Sequence, residues 1–308
     1  MDSTNNHNAA KFTFFYMLSL VALVFMAISS GMIIFQIINK TIVDILKEYQ
    51  GRFSSEQLKF AISALIISAP IFYITASQIY KNLFSGVLDK DSAVRRWLTY
   101  LILFASSVTM IGWLIGTVNS FLDGDLTMKF VLKSITAIGI AAAVFTFYLY
   151  DIKRDQVKGK KDLTIRLYFY GSLIIVAAIF ISSLFIVESP QATRDRKIDN
   201  AVINNFQSID SAVNQYYRDY EKIPANLDVL KQEFNYIADK DLINPDTKKE
   251  YEYKVLGDKK YELCSFFRAS NINDDNQDNY YKNNWPHEAG EQCISQRVNN
   301  NGVKEPYQ

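Results

Sequence analysis

The chain has 308 residues, of which 49% are hydrophobic and 14% aromatic, and its formal net charge is +1. This near-neutral charge gives no reason to expect nucleic acid as a partner. The mean hydropathy of -0.02 averages two unlike halves. Residues 12–187 contain long uncharged runs, whereas residues 188–308 are rich in Asn, Asp, Lys, Tyr and Gln, so the two halves are expected to face different solvents.

Five segments of the first half are apolar enough to cross a bilayer, whose hydrocarbon core of about 30 Å needs about 20 apolar residues. They span residues 12–38, 60–80, 97–122, 130–150 and 167–187. The first segment is too long for a signal peptide and is followed by no small-residue cleavage site, so we expect it to be retained. The chain is therefore predicted to contact the lipid bilayer directly.

The charges of the loops predict the orientation of these spans. Residues 81–96 and 151–166 are rich in Lys and Arg, whereas the third loop is acidic at Asp123 and Asp125. Positive charge marks the cytoplasmic side of a membrane. With five spans, the N-terminus is then predicted to be cytoplasmic and the residues beyond Val187 to be extracytoplasmic.

Small residues recur at four-residue spacing within the spans, where they let helix backbones approach closely. They are Ala27 and Gly31 in the first span, Gly112 and Gly116 in the third, and Gly139 in the fourth. We interpret them as packing positions within the chain. Self-association into a homo-oligomer is the alternative interpretation.

Catalysis is not expected from this sequence. No Asp, Glu, Lys, Arg or His lies near the middle of any of the five spans, which disfavours ion-coupled carriers. His287 in the second half has neither a nearby nucleophile nor a second histidine. We therefore expect no enzymatic activity and no cofactor.

Residues 12–154 resemble an uncharacterised bacterial family of four-helix integral membrane domains, a domain of unknown function. The most specific pieces are Ala93–Tyr100, which reads AVRRWLTY, and Tyr148–Asp151, which reads YLYD. The resemblance implies a topology in the bacterial cytoplasmic (inner) membrane and no established activity. From the residues alone, Arg95, Arg96 and Trp97 are interpreted as interface anchors, with arginines for headgroup phosphates and an indole at the interface.

The second half begins with a long amphipathic helix and continues into short strands. Apolar residues recur every three or four positions from Ile198 to Tyr220, which predicts one apolar stripe. Residues 251–255 and 261–267 alternate like strands around Gly257-Asp258, a hairpin signal. The fold class expected is an α-helical membrane bundle of five transmembrane helices followed by an α+β domain, in which the long helix packs on a small antiparallel sheet.

Residues 192–267 resemble the globular domain of type IV pilins and type II secretion pseudopilins. The resemblance rests on Arg194–Ile198, on Tyr216–Pro224, on Asn244-Pro245-Asp246 and on the order of the elements. It implies a pilin-like head. One departure is clear, because the preceding hydrophobic helix is internal and lacks the basic leader and processing site of a pilin, so incorporation into a pilus is not expected.

The two cysteines, Cys264 and Cys293, both lie in the half predicted to be outside, where a disulfide is the default expectation. Free thiols or thiol ligands on the cytoplasmic side are the alternative. Asp274, Asn276 and Asp278 alternate as in a calcium loop, but the glycine and the glutamate that such a loop needs are replaced by Asn279 and Trp285. They are at most a weak calcium site.

Together these patterns predict three regions: a four-helix transmembrane domain at 1–162, a fifth helix and joint at 163–190, and an extracytoplasmic pilin-like domain with a disulfide loop at 191–308. The expected role is binding, with a protein partner at the outer domain. Two alternatives are a sensor or adaptor that relays outer-domain binding through the fifth helix, and an accessory component of a pilus or secretion system.

Overall fold

The computed structural model describes residues 2–42, 53–88, 92–154, 159, 162–272 and 279–298. The chain divides into two compact units, residues 1–187 and residues 188–308, which we call the membrane unit and the head unit. The membrane unit consists of five helices: α1 (Asp2–Thr41), α2 (Ser55–Ser85), α3 (Ala93–Leu122), α4 (Met128–Lys153) and α5 (Leu163–Leu184).

All five helices of the membrane unit are long and apolar enough to cross a membrane. Helices α1 to α4 contain the first four predicted spans completely and are longer than them. Helix α5 contains the fifth span except for its last three residues, 185–187. Large apolar side chains are exposed on their outer faces, as with Phe104, Ile67 and Ile174. Such a surface suits lipid as a solvent. The protein is therefore a multi-pass membrane protein by its architecture.

Helix α1 is the centre of the membrane unit, because it contacts each of the other four helices. Its inward residues Leu23, Met26 and Ile33 are buried, and they share one apolar cluster with Leu58 and Leu65 of α2. The outer helices α3, α4 and α5 bury few residues each, since one side of each faces outward. The arrangement is a bundle around α1.

The head unit begins with α6 (Pro190–Tyr220) and α7 (Leu227–Glu233), followed by a short 3-10 helix at Asp239–Asp241. A hairpin of β1 (Glu252–Gly257) and β2 (Lys260–Phe267) comes next, then α8 (Asn279–Asn284) and β3 (Gly290–Arg297). The three strands form one antiparallel sheet in the order β1-β2-β3. The predicted helix and hairpin are confirmed, whereas α8 and β3 were not predicted.

Phe206 is the centre of the head core. Its ring lies 4.9 Å from that of Tyr251, 5.5 Å from that of Trp285 and 6.1 Å from that of Phe267, measured between centroids. Trp285 is fully buried, so the segment after α8 returns to the core as β3 begins. The predicted stripe of α6 faces this core through Val202, Phe206, Ile209 and Val213, all fully buried. The long helix thus packs on the sheet.

Helical structure is interrupted between the two units. Helix α5 ends at Leu184, and α6 begins at Pro190 after the N-cap residue Ser189, whose hydroxyl accepts the Ala192 N–H at 3.1 Å. Proline fits the first position of a helix because its missing N–H would have no partner there. The sequence Ser-Pro therefore starts a new helix at this point.

Candidate functional site

Three tyrosines at the end of α6 and just after α7 form a polar aromatic surface on the head unit, which we call the tyrosine cluster: Tyr216, Tyr220 and Tyr236. The rings of Tyr216 and Tyr220 lie 4.6 Å apart. The Tyr220 hydroxyl donates to Glu233 at 2.5 Å, and the Tyr236 hydroxyl donates to Gln215 at 3.0 Å. Tyr220 and Tyr236 are about half exposed. Fixed, exposed tyrosines are typical of protein-binding surfaces, since they offer area at low entropic cost.

Other tyrosines of the head unit have different contacts, such as Tyr281, whose hydroxyl donates to Asn204 at 3.2 Å. Tyr217 and Tyr281 are partly buried against the core, as is Tyr216 of the cluster itself, whereas Tyr280 is more than half exposed. In the sequence, Tyr236 belonged to the residues that resemble a pilin and was not interpreted as a binding residue, because its segment has no regular apolar pattern. The hydrogen bond to the Glu233 carboxylate raises the pKa of Tyr220 above its ordinary value. The phenol therefore remains a donor at neutral pH.

Cys264 and Cys293 form a disulfide between directly paired positions of β2 and β3. The sulfur atoms and the carboxylate of Glu262 lie within 4.8 Å of one another, and this group is a geometric candidate for a metal among the described residues. With the sulfurs joined it offers no thiolate, so it would hold a metal only after reduction. Asp274, Asn276 and Asp278, the weak calcium candidates, lie outside the described residues.

Arg268 ties the end of β2 to α6 and to the turn before β1. Its guanidinium donates to both Asp246 oxygens, at 2.7 and 2.8 Å, and to Asp195 at 3.0 Å. Asp199 accepts the backbone N–H groups of Arg268 and Ala269. The bond from Arg268 lowers the pKa of Asp246, whereas burial raises the pKa of Asp199. Arg268 and these three carboxylates are all engaged in hydrogen bonds within the head, which indicates a structural role.

His287 is buried in the head and stacks on Phe267, with ring centroids 3.9 Å apart. Its Nδ1 lies 3.0 Å from the carbonyl oxygen of Trp285, which requires that nitrogen to carry the proton. Burial lowers the pKa of His287 below its ordinary value. The side chain is therefore a neutral packing residue within the part of the head that the structure describes.

The membrane unit contains a buried ion cluster at the end of the bundle where α3 and α5 begin and α4 ends. Arg95 donates to the Asp151 carboxylate at 2.6 Å, and Arg154 pairs with the other oxygen of the same group. The arginine side chains are 7% exposed and that of Asp151 is 15% exposed. Asp162 lies 3.9 Å from Arg154. Buried charges need partners of opposite charge, and the Asp151 carboxylate forms ion pairs with both Arg95 and Arg154.

A cavity of about 340 Å³ extends from this cluster into the bundle, and all five helices line it. Its charged end is formed by Arg95, Asp151, Arg154 and Arg166, and its inner end by apolar residues such as Met26. Along α1 it extends from Tyr16 to Met26, about 15 Å at a helical rise of 1.5 Å per residue. The volume is at the lower end of the roughly 300–1,000 Å³ of small-molecule sites.

Two buried hydrogen-bond donors in the lining have no partner among the described residues. They are the hydroxyl of Tyr16 and the Nε of Arg154. Buried polar groups in proteins are nearly always hydrogen-bonded, and leaving one unpaired costs about 1–3 kcal/mol. Two such donors at the charged end of one cavity mark a place where an acceptor from outside the chain would be stabilised.

The structure separates the three residues interpreted as interface anchors. Arg96 and Trp97 are exposed on α3, as an anchor would be, but Arg95 faces inward and pairs with Asp151. A side chain buried inside the bundle cannot bind headgroups at the outer surface. This difference could not be predicted from the sequence, because adjacent residues on a helix point about 100° apart and either could face lipid.

The small residues also differ in what they face. A side chain at Gly31 would meet Ile140 at 3.6 Å, and one at Gly116 would meet Phe130 at 3.7 Å, so helices pass close to both. At Gly112 and Gly139 no such contact lies within 4 Å among the described residues. Ala27 is half-buried on α1. Packing within the chain therefore involves two of the four glycines.

The architecture is that of a five-helix membrane unit joined to an α+β head unit. Residues 13–148 match the model of a family described as a domain of unknown function (DUF5671). The match includes all of α2 and α3 and most of α1 and α4, and its range is close to the residues 12–154 for which the sequence showed a family resemblance. The comparisons give no evidence for a pilin or pseudopilin family in the head. No curated protein and no solved structure matches the chain.

Proposed function

We propose that this protein holds its head unit outside the bacterial cytoplasmic membrane as a binding domain for a protein partner. The observation that carries the proposal is the tyrosine cluster. Tyr220 and Tyr236 expose about half of their surface, yet both hydroxyls are fixed by Glu233 and Gln215. Preorganised aromatic side chains lose little entropy when a partner covers them, which favours binding.

Two independent features support an extracytoplasmic head. The loops at 81–96 and 151–166 carry the basic residues, and positive loops remain in the cytoplasm. Disulfides such as Cys264–Cys293 form and persist in oxidising compartments and are rare in the cytoplasm. An odd number of spans puts the positive loops and the head on opposite sides, so the two features agree.

A pilin-like origin of the head is part of this proposal. Its support is the order of elements, in which one long helix packs on an antiparallel sheet and a short helix precedes the hairpin. The break between Leu184 and Pro190 differs from a pilin, whose hydrophobic and amphipathic segments form one continuous helix. We therefore propose that the head has a pilin-like fold but does not assemble into a filament. The break also argues against the alternative role as a sensor, because a helix continuous across Ser189-Pro190 would favour relay of binding through α5.

The compartment can be tested on the two native cysteines in intact bacterial cells that express the full chain. After treatment with a membrane-impermeant reductant, an impermeant maleimide should label the exposed Cys293 and, to a lesser extent, the buried Cys264. Without reductant, neither should react. Labelling only after the cells are lysed would place the head in the cytoplasm and overturn the orientation.

Binding can be tested by placing a photoreactive phenylalanine analogue at Tyr220 or Tyr236 in the same cells. We expect crosslinks to one defined protein from these positions. The matched control position is Glu291, which is exposed on β3. The double variant Tyr220→Ala, Tyr236→Ala should then lose co-purification of that protein, whereas Glu291→Ala should retain it. Crosslinks of equal yield from all three positions, or none from the tyrosines, would contradict a binding role for the cluster.

A further inference from the structure

The cavity of the membrane unit has one charged and one apolar end, and this shape restricts what it can hold. Its charged end lies at Arg95, Asp151 and Arg154, and its apolar end lies about 15 Å along α1, at Met26. A wholly polar ligand would leave the apolar end without a partner. A wholly apolar ligand would leave the donors of the charged end unsatisfied. An amphiphile fits both ends.

The charges at the polar end decide the sign of the headgroup. Arg95, Arg154 and Arg166 outnumber Asp151 and Asp162, so this end carries a net positive charge. The two donors that lack a partner among the described residues, Tyr16 Oη and Arg154 Nε, need an acceptor. Carboxylate and phosphate oxygens are the strongest acceptors for such donors. A cationic head would be repelled, and it would bring no acceptor.

The size of the cavity limits the hydrocarbon part. About 340 Å³ is small for a ligand site, and side chains of all five helices line this volume. One alkyl chain is compatible with this volume, whereas a two-chain phospholipid would need the helices to separate. The volume therefore favours a single-chain amphiphile.

The bilayer can supply such a ligand from the side. An open groove lies between α2 and α5, and it shares Ser77 and Phe169 with the cavity. Beside this place, Tyr73 of α2 donates to Ser172 of α5 at 3.1 Å. The groove is lined by apolar residues such as Leu65, Ile66 and Val176, with Lys81 at one end. A lipid tail could thus move from the bilayer past Phe169 into the bundle.

We propose that the cavity binds a single-chain anionic amphiphile taken from the membrane, with its tail between the helices and its acidic head at Arg154 and Tyr16. The site is independent of the tyrosine cluster. It would make the membrane unit a lipid-binding domain, and neither the family match nor the proposed role of the head assigns this property. Fatty acids and alkyl phosphates share the required chemistry, and experiment can distinguish them.

The test uses the full-length protein in a neutral bilayer of phosphatidylcholine, with a photoreactive analogue of dodecanoic acid as the probe. Labelled peptides should come from α1 and α4. Four competitors with the same chain should separate headgroup effects: dodecanoate and dodecyl phosphate should displace the probe, whereas dodecanol and dodecylamine should not. The stronger of the two anions shows whether the site prefers a carboxylate or a phosphate headgroup. Equal displacement by dodecanol would overturn the proposal.

Matched variants locate the site. Arg154→Gln should weaken probe binding about tenfold or more, because a charge-assisted hydrogen bond is lost. Arg96→Gln, on the same end of α3 but exposed and outside the lining, should bind as the wild type does. Ala76→Leu should reduce labelling by filling the apolar part without changing a charge, and Tyr16→Phe should have a smaller effect than Arg154→Gln. Unchanged binding in Ala76→Leu and Tyr16→Phe would contradict the assignment, even if Arg154→Gln failed to fold.

Discussion

Arg95 and Asp151, which lie 56 positions apart on α3 and α4, are joined inside the membrane unit by an ion pair of 2.6 Å. The two residues belong to Ala93–Tyr100 and Tyr148–Asp151, the stretches on which the resemblance seen in the sequence rested, and the family match at residues 13–148 includes Arg95 but ends before Asp151. Both stretches lie at the same end of the bundle and form the charged end of its cavity. The pair therefore connects helix packing with the lining of the candidate lipid site.

Asp151 is expected to matter most for the stability of the bundle. Asp151→Ala would leave Arg95 and Arg154 buried without their shared carboxylate, which should cost about 3–5 kcal/mol. Arg95→Gln should cost less, because Arg154 still pairs with the aspartate. Arg96→Ala should change stability by no more than about 0.5 kcal/mol, since its side chain is exposed. Hydrogen exchange of α3 and α4 in the full-length protein measures these differences, and equal effects of Arg95→Gln and Arg96→Ala would contradict the role of the pair.

Phe206 is expected to be the most sensitive position of the head core. Phe206→Ala should destabilise the head by about 3–5 kcal/mol, because a fully buried ring that touches Tyr251 and Trp285 is replaced by a cavity. The control Val255→Ala, about half exposed on β1, should cost under about 1 kcal/mol. Hydrogen exchange of β2 peptides in the full chain provides the readout. A small effect at Phe206 would mean that the head core is organised differently.

The disulfide is expected to stabilise the head by restricting the unfolded chain. Cys264 and Cys293 are 29 positions apart, and a loop of that length corresponds to about 3–4 kcal/mol in the loop-entropy model. The double variant Cys264→Ser, Cys293→Ser should therefore lose protease resistance in β2 and β3, and a reductant should have the same effect on the wild type. The reductant should have no further effect on the double variant. Ser295→Ala, on the same strand, is the control that should remain sensitive to reductant.

His287 is expected to make the head less stable in weak acid. Burial lowers the pKa of His287 below its ordinary value of 6.5, so the folded head keeps the ring neutral while the unfolded chain takes up a proton. The contribution to stability is therefore complete above pH 6.5 and is lost as the pH falls below that value towards the folded pKa, by at most about 1.4 kcal/mol per pH unit.

The control for this pH effect is His287→Gln, which cannot titrate. It should be less stable than the wild type at neutral pH, because it loses the stacking on Phe267, but its stability should change little between about pH 7 and about pH 5. Asp246, whose pKa is lowered by Arg268, should respond only below its ordinary value of 3.8, so the two effects occupy separate pH ranges. An equal slope in wild type and His287→Gln would exclude the histidine as the cause.

Local patterns predicted most elements of both units. The five apolar runs became five helices because about 20 apolar residues have only one regular way to satisfy their backbone in lipid. The stripe of α6 and the Gly257-Asp258 hairpin were predicted for similar reasons of periodicity and turn chemistry. Strand β3 was not predicted, since its sequence GEQCISQR has few apolar residues and is held by pairing with β2.

The sequence by itself determined the division into an apolar and a polar half, the number of helices that can span a membrane, and the amphipathic helix of the head, because each depends on composition or on spacing along a single element. Only the tertiary structure decided that Arg95 faces Asp151 rather than lipid headgroups, that Trp285 is in the core, and that Tyr236 stands beside the end of α6. These facts depend on the rotation of one helix against another and on contacts between distant residues. Neither is encoded in the spacing of residues along one segment.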